Sequence, residues 1–126
     1  MEKDLKKIIT DINRAFESGD LVALGSFLAE NVRWNISGKD SPVVGKKEFL
    51  DMCAGAPFQD GSPKIKVTNV IVEGNRAAVE SIIEAKTLSG KPYRQLTCDI
   101  YLFEGDKIKE MSSYMDTNYD KKMLNQ

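Results

Sequence analysis

The chain has 126 residues, of which 41% are hydrophobic and 29% are charged. These proportions are typical of a globular protein and argue against a disordered, collagen-like or coiled-coil chain. The 18 lysines and arginines nearly balance the 19 acidic residues, so we expect neither nucleic acid nor an anionic membrane as a partner. The length indicates one domain over residues 1–126.

Several sequence features are absent, and each absence narrows the range of functions that we expect. No apolar run approaches the ~20 residues that cross a bilayer, and the charged N-terminus is unlike a signal peptide, which predicts a cytoplasmic protein. The chain has no histidine, which removes Ser-His-Asp and Cys-His nucleophile pairs and most transition-metal sites. Cys53 and Cys98 lack CxxC spacing, so we interpret them as buried free thiols. We expect neither a metal nor an organic cofactor.

The N-terminal half predicts three helices and one strand. Apolar residues at three- and four-residue spacing predict a helix over about 3–17. Asp20 stands where the N-cap of a second helix belongs, and the apolar pattern carries that helix to about Glu30. The alternation over 32–36 predicts a short strand, and a third helix is predicted over about 45–55.

The C-terminal half predicts a sheet. From Lys64 onward, four long strands are separated by turn sequences at 73–75, 89–92 and 104–107. Helices followed by a meander of long strands predict an α+β fold, with three N-terminal helices packed in a strongly curved, mostly antiparallel sheet.

Counting from four-residue turns gives a provisional register, in which Leu88 lies opposite Tyr93 and Phe103 lies opposite Ile108. One face of the sheet then carries the polar and aromatic candidates, which are Glu80, Gln95, Asp99, Tyr101, Ser112, Tyr114 and Asp116. The other face is more apolar and carries Val79, Ile83, Leu96, Ile100, Leu102 and Met111. A bulge in either hairpin would shift this register.

Two interpretations of the mixed face remain open. Periodicity alone would place the apolar face against the helices and leave the mixed face in water. Alternatively, the mixed face lies under the helices, where aromatic side chains and a few carboxyls line a small-molecule pocket. We favour the pocket, in which case the apolar outer face needs a cover and a homodimer through that face is expected.

The segments WNISG (34–38), SGKPY (89–93) and YMD (114–116) suggest a family. Together with the two leading helices they resemble the SnoaL-like branch of the superfamily that contains ketosteroid isomerase, nuclear transport factor 2 and limonene epoxide hydrolase. The resemblance covers nearly the whole chain. It implies a cone-shaped, cystatin-like fold around an apolar cavity, with dimerisation through the outer sheet face, and so supports the pocket.

The resemblance also implies candidate site residues. Asp99 falls where ketosteroid isomerases carry the carboxylic acid that donates a hydrogen bond to the developing oxyanion. Trp34 occupies the position of that family's general base and Ile12 the position of its oxyanion tyrosine, so we do not expect steroid isomerisation by that mechanism. Asp116 is similar in position to the acid or base aspartate of SnoaL-type cyclases and limonene epoxide hydrolases.

The sequence leaves two hypotheses for function. In the first, the protein is an acid–base isomerase, cyclase or hydrolase of a small apolar or polyketide-like molecule, with Asp116 as base and Asp99 or Glu80 as proton donor. Residues that would line the ligand site are Trp34, Gln95, Tyr101, Ser112 and Tyr114. In the second, the same residues belong to a non-catalytic ligand-binding or dimerisation domain.

Overall fold

The computed structural model describes residues 4–55, 58–59 and 61–116. Its helices are α1 (Leu5–Ser18), α2 (Leu21–Gly25) and α3 (Lys46–Ala54). Its strands are β1 (Leu28–Ile36), β2 (Val43–Val44), β3 (Lys64–Glu73), β4 (Arg76–Lys86), β5 (Pro92–Glu104) and β6 (Lys107–Met115). The strands form one sheet in the order β2-β1-β6-β5-β4-β3, antiparallel except for the β1–β6 pair. The predicted α+β class with a curved sheet is confirmed.

Helix α1 follows its sequence pattern closely. The Asp4 carboxylate accepts a hydrogen bond from the Lys7 backbone N–H at the first turn, and Gly19 ends the helix in the left-handed conformation that glycine adopts most readily. Leu5, Ile9 and Ile12 are buried, as expected of an amphipathic helix lying on a sheet. The predicted helix is confirmed from Leu5 onward, whereas residue 3 lies outside the described residues.

The boundary between α2 and β1 differs from the prediction. Asp20 caps α2 as predicted, but the helix ends at Gly25, and residues up to Glu30 already belong to β1. Leu28 and Val32 are both buried and stand four residues apart, a spacing that resembles a helix. Residues four apart on a strand also share one face, so this spacing fits β1 equally well. The β1–β6 pairing has a register irregularity between Leu28 and Arg33.

The hairpin registers also differ from the prediction. Lys86 pairs with Pro92, so the β4–β5 loop has five residues and shifts the β4–β5 pairing by three. The Thr87 hydroxyl and carbonyl hold this loop through hydrogen bonds from the backbone N–H groups of Lys91 and Gly90. Phe103 does pair with Ile108, as predicted, but a bulge then shifts the rest of β5–β6 by one residue. Odd shifts move side chains to the other face of the sheet.

We call the face of the sheet that the helices cover the inner face, and its opposite the outer face. Inner-face residues of the three central strands include Ala77, Val79, Ser81, Thr97, Asp99, Tyr101, Phe103, Met111 and Ser113. Outer-face residues include Glu80, Ile82, Leu96, Cys98, Ile100, Leu102, Ser112 and Tyr114. The predicted mixed face therefore lies inside only in β5. In β4 and β6, the residues predicted for the inner face lie on the outer face, and those predicted for the outer face lie on the inner face.

None of the described helices combines the length and the apolar composition that a membrane span needs. The predicted cytoplasmic location and the predicted lack of a nucleic-acid partner stay predictions.

Candidate functional site

The candidate site is built around Asp99, on the inner face of β5. Val79 of β4 and Ser113 of β6 lie directly opposite it. Asp99 is partly buried, and it is the one charged side chain on the inner face of β4 and β5. No lysine or arginine of the described residues forms a salt bridge with it. A carboxyl in such surroundings has lost water without gaining a cation.

A hydrogen-bonded chain joins three inner-face side chains from three strands. The Trp34 indole Nε1 donates to Ser113 Oγ at 2.8 Å. Ser113 Oγ in turn lies 2.6 Å from Asp99 Oδ1. Because β1, β6 and β5 are neighbours in the sheet, each donor stands one strand away from its acceptor. These two hydrogen bonds orient the Asp99 carboxyl.

Aromatic rings lie around these three hydrogen-bonded side chains. Trp34 stacks on Phe49 of α3, with ring centroids 4.5 Å apart and planes at 29°. Tyr101, two residues after Asp99 on the same face, is 3% exposed and stacks on Phe103 at 5.6 Å. These rings make the surroundings of Asp99 largely apolar, as in many small-molecule sites.

The apolar surroundings shift the pKa values of the ionisable groups. Burial raises the pKa of the Asp99 carboxyl above its usual range, and the hydrogen bond from Ser113 opposes this rise. Burial also raises the pKa of Tyr101 well above its usual value, and electrostatic interaction with the ionised forms of Asp99 and Cys53 adds to the rise. Burial raises the pKa of the Cys53 thiol to about 12. Near neutral pH the phenol and the thiol therefore stay protonated, which agrees with Cys53 as an unreactive thiol.

A cavity of about 250 Å³ opens beside the site. It lies between the ends of α1 and α3, α2 and the segment after α3, and its lining includes Phe16, Glu17, Leu24, Cys53 and Phe58. Asp99 is not part of this lining. The carboxylate that does line the cavity, Glu17, already accepts a hydrogen bond from the Ile65 backbone N–H at 2.6 Å. Asp99 and the cavity are therefore two separate features of the structure.

The structure brings together four of the residues that the sequence singled out. Trp34, Asp99 and Tyr101 lie on the inner face around the hydrogen-bonded chain. Gln95 is on the same face of β5, four residues from Asp99 and opposite Ile83. For Gln95, Asp99 and Tyr101, the predicted shared face of β5 is confirmed, and the roles of all four residues in a site stay predictions.

The other predicted site residues lie elsewhere. Glu80 is opposite Cys98 on the outer face, where its carboxylate accepts a hydrogen bond from Asn69. Ser112 is on the outer face and accepts a hydrogen bond from Asn35. Tyr114 shares that face and is 59% exposed. Asp116 directly follows β6 and is exposed.

These positions correct the predicted neighbours of Asp99. Asp99 was expected to face one pocket with Glu80 and to pair with Ser112, but the shifted registers give it Val79 and Ser113 instead. The sequence placed Ser113 on the outer face because the predicted register was counted along β6 without a bulge. No local signal marks the bulge, although the pair Ser112-Ser113 left either serine as a candidate. The predicted roles of Glu80 and Asp116 in catalysis stay predictions.

The inner face also holds a hydroxyl without a partner. Thr97 is 8% exposed, and its Oγ1 has no hydrogen bond in the part of the chain that is described. Burying such a hydroxyl costs roughly 1–3 kcal/mol. We expect Thr97→Val to raise the free energy of unfolding by about 1 kcal/mol in urea denaturation.

Thr87→Val is the matched control for this prediction. Its hydroxyl accepts a hydrogen bond from the Lys91 backbone N–H, so its loss should lower stability. A drop in stability for Thr97→Val as well would contradict the assignment of an unsatisfied hydroxyl and indicate an ordered water at Thr97.

The carboxylates and thiols of the described residues do not form a cluster suited to a metal ion. Over residues 4–55, 58–59 and 61–116, no three Cys, Asp or Glu side chains are grouped closely enough to hold an ion. Asp99 stands apart from the other carboxylates because it alone lies on the inner face of its strand pair. The chemistry described below uses the chain's own residues.

Comparison with solved structures shows the fold. A nuclear transport factor 2-like protein of unknown function from Cytophaga hutchinsonii is 29% identical, with a TM-score of 0.68 over 87% of this chain and 97% of that one. A putative SnoaL-like polyketide cyclase from Shewanella denitrificans is 10% identical, with a TM-score of 0.81 over 98% of each chain. A protein with a ketosteroid isomerase-like fold from Catenulispora acidiphila, in complex with trimethylamine, is 15% identical, with a TM-score of 0.74 over 85% and 83%.

The family follows from the sequence match. No curated protein matches the chain. Residues 9–111 match the family model of the SnoaL-like domain, and this range includes Trp34, Asp99 and the inner faces of β4 and β5. The chain therefore belongs to the SnoaL-like domain family, with the nuclear transport factor 2-like fold that its sequence predicted.

Proposed function

We propose that the protein binds a small, largely apolar molecule on the inner face of the sheet and that Asp99 performs acid–base chemistry on it. The observation that carries this proposal is a partly buried carboxyl, held by Ser113, with no salt bridge among the described residues. Burial moves its pKa toward the pH at which a general acid or base works best. An isomerase, cyclase or hydrolase would each use such a group, and the likeness to a putative SnoaL-like polyketide cyclase supports this range.

The charge of the inner face restricts the ligand. The inner faces of β4 and β5 carry Asp99 and no lysine or arginine. An anionic ligand would meet an unneutralised carboxylate there, at a distance where the low dielectric strengthens repulsion. We therefore propose a neutral or cationic ligand. The Catenulispora protein of the same fold is in complex with trimethylamine, which is a small molecule of this charge class.

A second candidate function is binding without turnover. It is favoured by the cavity of about 250 Å³, whose lining does not include Asp99. A ligand held in that cavity alone would contact Phe16, Cys53 and Phe58 and leave the carboxyl untouched. The two candidates therefore differ in whether the ligand reaches Asp99.

Three probes of equal size and different charge test the proposal. Benzyl alcohol, benzylamine and benzoate are titrated into the ¹⁵N-labelled protein, and amide chemical shifts are followed by NMR. We expect the alcohol and the amine to shift Thr97, Asp99 and Ser113, and benzoate to bind more weakly. Shifts confined to Phe16, Cys53 and neighbours of the cavity would favour the non-catalytic binder. Equal or tighter binding of benzoate, or binding around Glu80, would contradict the proposed site.

We also propose that the protein forms a homodimer through the outer face. Leu96 is 43% exposed there, and Ile82, Ile100 and Leu102 extend the apolar surface around it. Val79 and Met111, which the sequence assigned to this contact, instead lie in the core, and Ile83 lies on the inner face opposite Gln95. An exposed apolar sheet face of this kind is typical of a subunit contact.

The dimer prediction is checked by light scattering. We expect twice the mass of one chain at micromolar concentration, and half that mass for Leu96→Glu, because a carboxylate in the contact would lose its water. Leu88→Glu is the control, since Leu88 is 72% exposed in the β4–β5 loop and should leave the dimer intact. A wild-type protein with the mass of a single chain would contradict the prediction.

A further inference from the structure

The hydrogen-bonded chain at Asp99 has a fixed direction. An indole N–H can only donate, so Ser113 Oγ must accept the hydrogen bond from Trp34. The hydrogen of the serine hydroxyl points to Asp99 Oδ1, 2.6 Å away. Asp99 Oδ1 is therefore an acceptor when the carboxyl is ionised, since a carboxylate has no hydrogen to donate.

The other carboxyl oxygen differs. No hydrogen bond to Asp99 Oδ2 is formed within the described residues. While Oδ1 accepts the serine hydrogen, a proton on the carboxyl sits on Oδ2.

We propose that Trp34 and Ser113 are positioning residues for Asp99, which hold Oδ1 as an acceptor so that Oδ2 alone takes up and releases the proton. This inference rests on the proposed function and assigns its reactive atom. It also favours the base over the neutral donor as the resting form, since a donated hydrogen bond is stronger to a carboxylate than to a carboxylic acid. The ligand group that faces Oδ2 is then a hydrogen-bond donor or an acidic C–H.

The surroundings leave Asp99 as the group that titrates. Tyr101 from β5 and Cys53 from α3 are the ionisable neighbours, and the raised pKa of each keeps both protonated at neutral pH. The residues that β4 and β6 present beside Asp99 are Val79, Met111 and Ser113, which do not titrate. The buried face of α1 is apolar at Ile9 and Ile12, Glu17 lies at the cavity, and Cys98 and Glu80 are on the outer face.

The test measures the pKa of Asp99 without any substrate. The protein is labelled with ¹³C at the aspartate carboxyls, and the Asp99 signal, assigned by its absence in Asp99→Asn, is titrated by NMR. We expect Ser113→Ala to raise the pKa of Asp99 by about 1 unit, because the carboxylate loses a charge-assisted hydrogen bond. Trp34→Phe keeps a ring against Phe49 and should raise it by a smaller amount, since the freed hydroxyl can turn away.

Ser112→Ala is the matched control, because Ser112 is the adjacent serine on the outer face and should leave the pKa of Asp99 unchanged. An unchanged pKa in Ser113→Ala, or a lowered one in Trp34→Phe, would overturn the inference. This outcome is separate from the proposed function: probes that bind at Asp99 while the variants titrate like wild type refute only the positioning role. Variants that titrate as expected while no probe reaches Asp99 refute only the proposed function.

Discussion

Asp99→Asn is expected to lower turnover of an identified substrate by at least about 100-fold, the lower end of what a positioned acid or base contributes. Asparagine has nearly the shape of aspartate and can still accept the hydrogen bond from Ser113, so binding should change little. The amide nitrogen that replaces Oδ2 cannot take up a proton, and the loss should therefore fall on kcat. Steady-state kinetics at saturating substrate measures it directly.

Glu80→Gln is the matched control for this substitution. It makes the same chemical change one strand away, on the outer face opposite Cys98, and should leave turnover near the wild-type value. Asp116→Asn tests the base that the sequence proposed. Full activity of Asp99→Asn would remove Asp99 from the chemistry, and a large loss in Asp116→Asn alone would return the role of base to the end of β6.

The stability of Asp99→Asn shows whether lost activity reflects chemistry or unfolding. Burial raises the pKa of Asp99 in the folded chain, so the native state binds this proton more tightly than the unfolded state does. The protonated Asp99 carboxyl therefore contributes stability that is fully present below its pKa in the unfolded chain. This contribution is lost as pH rises through its pKa in the folded chain. Asparagine does not ionise, so Asp99→Asn does not lose stability in this way. Relative to wild type, Asp99→Asn should therefore gain stability as pH rises through this window and keep the gain at neutral pH.

The fold and part of the site could be predicted because they depend on local patterns. Helix α1 has a strong apolar stripe and two good caps, and its ends were correct to within about two residues. Strand β5 alternates cleanly, so Asp99 and Tyr101 were placed on one face with Thr97 and Gln95, whatever the neighbouring strands did. The structure places that face inside, where Tyr101 and Phe103 are buried.

The partners of Asp99 could not be predicted because they depend on hairpin geometry. The sequence Thr87 to Lys91 admits a four- or a five-residue connection, and the Thr87 hydrogen bonds that select the longer one are invisible to periodicity. The bulge after Ile108 adds a second odd shift. Each shift moves an entire strand to its other face, which is why Glu80 left the predicted pocket and Ser113 entered it.

Strand β5 carries both Asp99 and Phe103, one of the largest fully buried side chains, and Phe103→Ala tests the connection between the core and the site. Phe103 is 1% exposed, stacks on Tyr101 and pairs with Ile108, which is equally buried. Its backbone N–H and carbonyl are both held by Asn75, so the strand cannot move inward to fill the space left by the ring. We expect Phe103→Ala to lower the free energy of unfolding by about 3–5 kcal/mol in urea denaturation.

The control for Phe103→Ala is Ile71→Ala on β3, where the side chain is 59% exposed and the loss should stay within about 0.5 kcal/mol. Both variants are compared at one protein concentration, because a dimer gains stability with concentration. The cavity left by Phe103 borders Tyr101, two residues from Asp99, so a variant that remains folded should also bind the probes at Asp99 less tightly. A loss below about 1 kcal/mol would show that this end of β5 repacks freely, and the rigid support that we assign to Asp99 would then have to come from β6 and β1 alone.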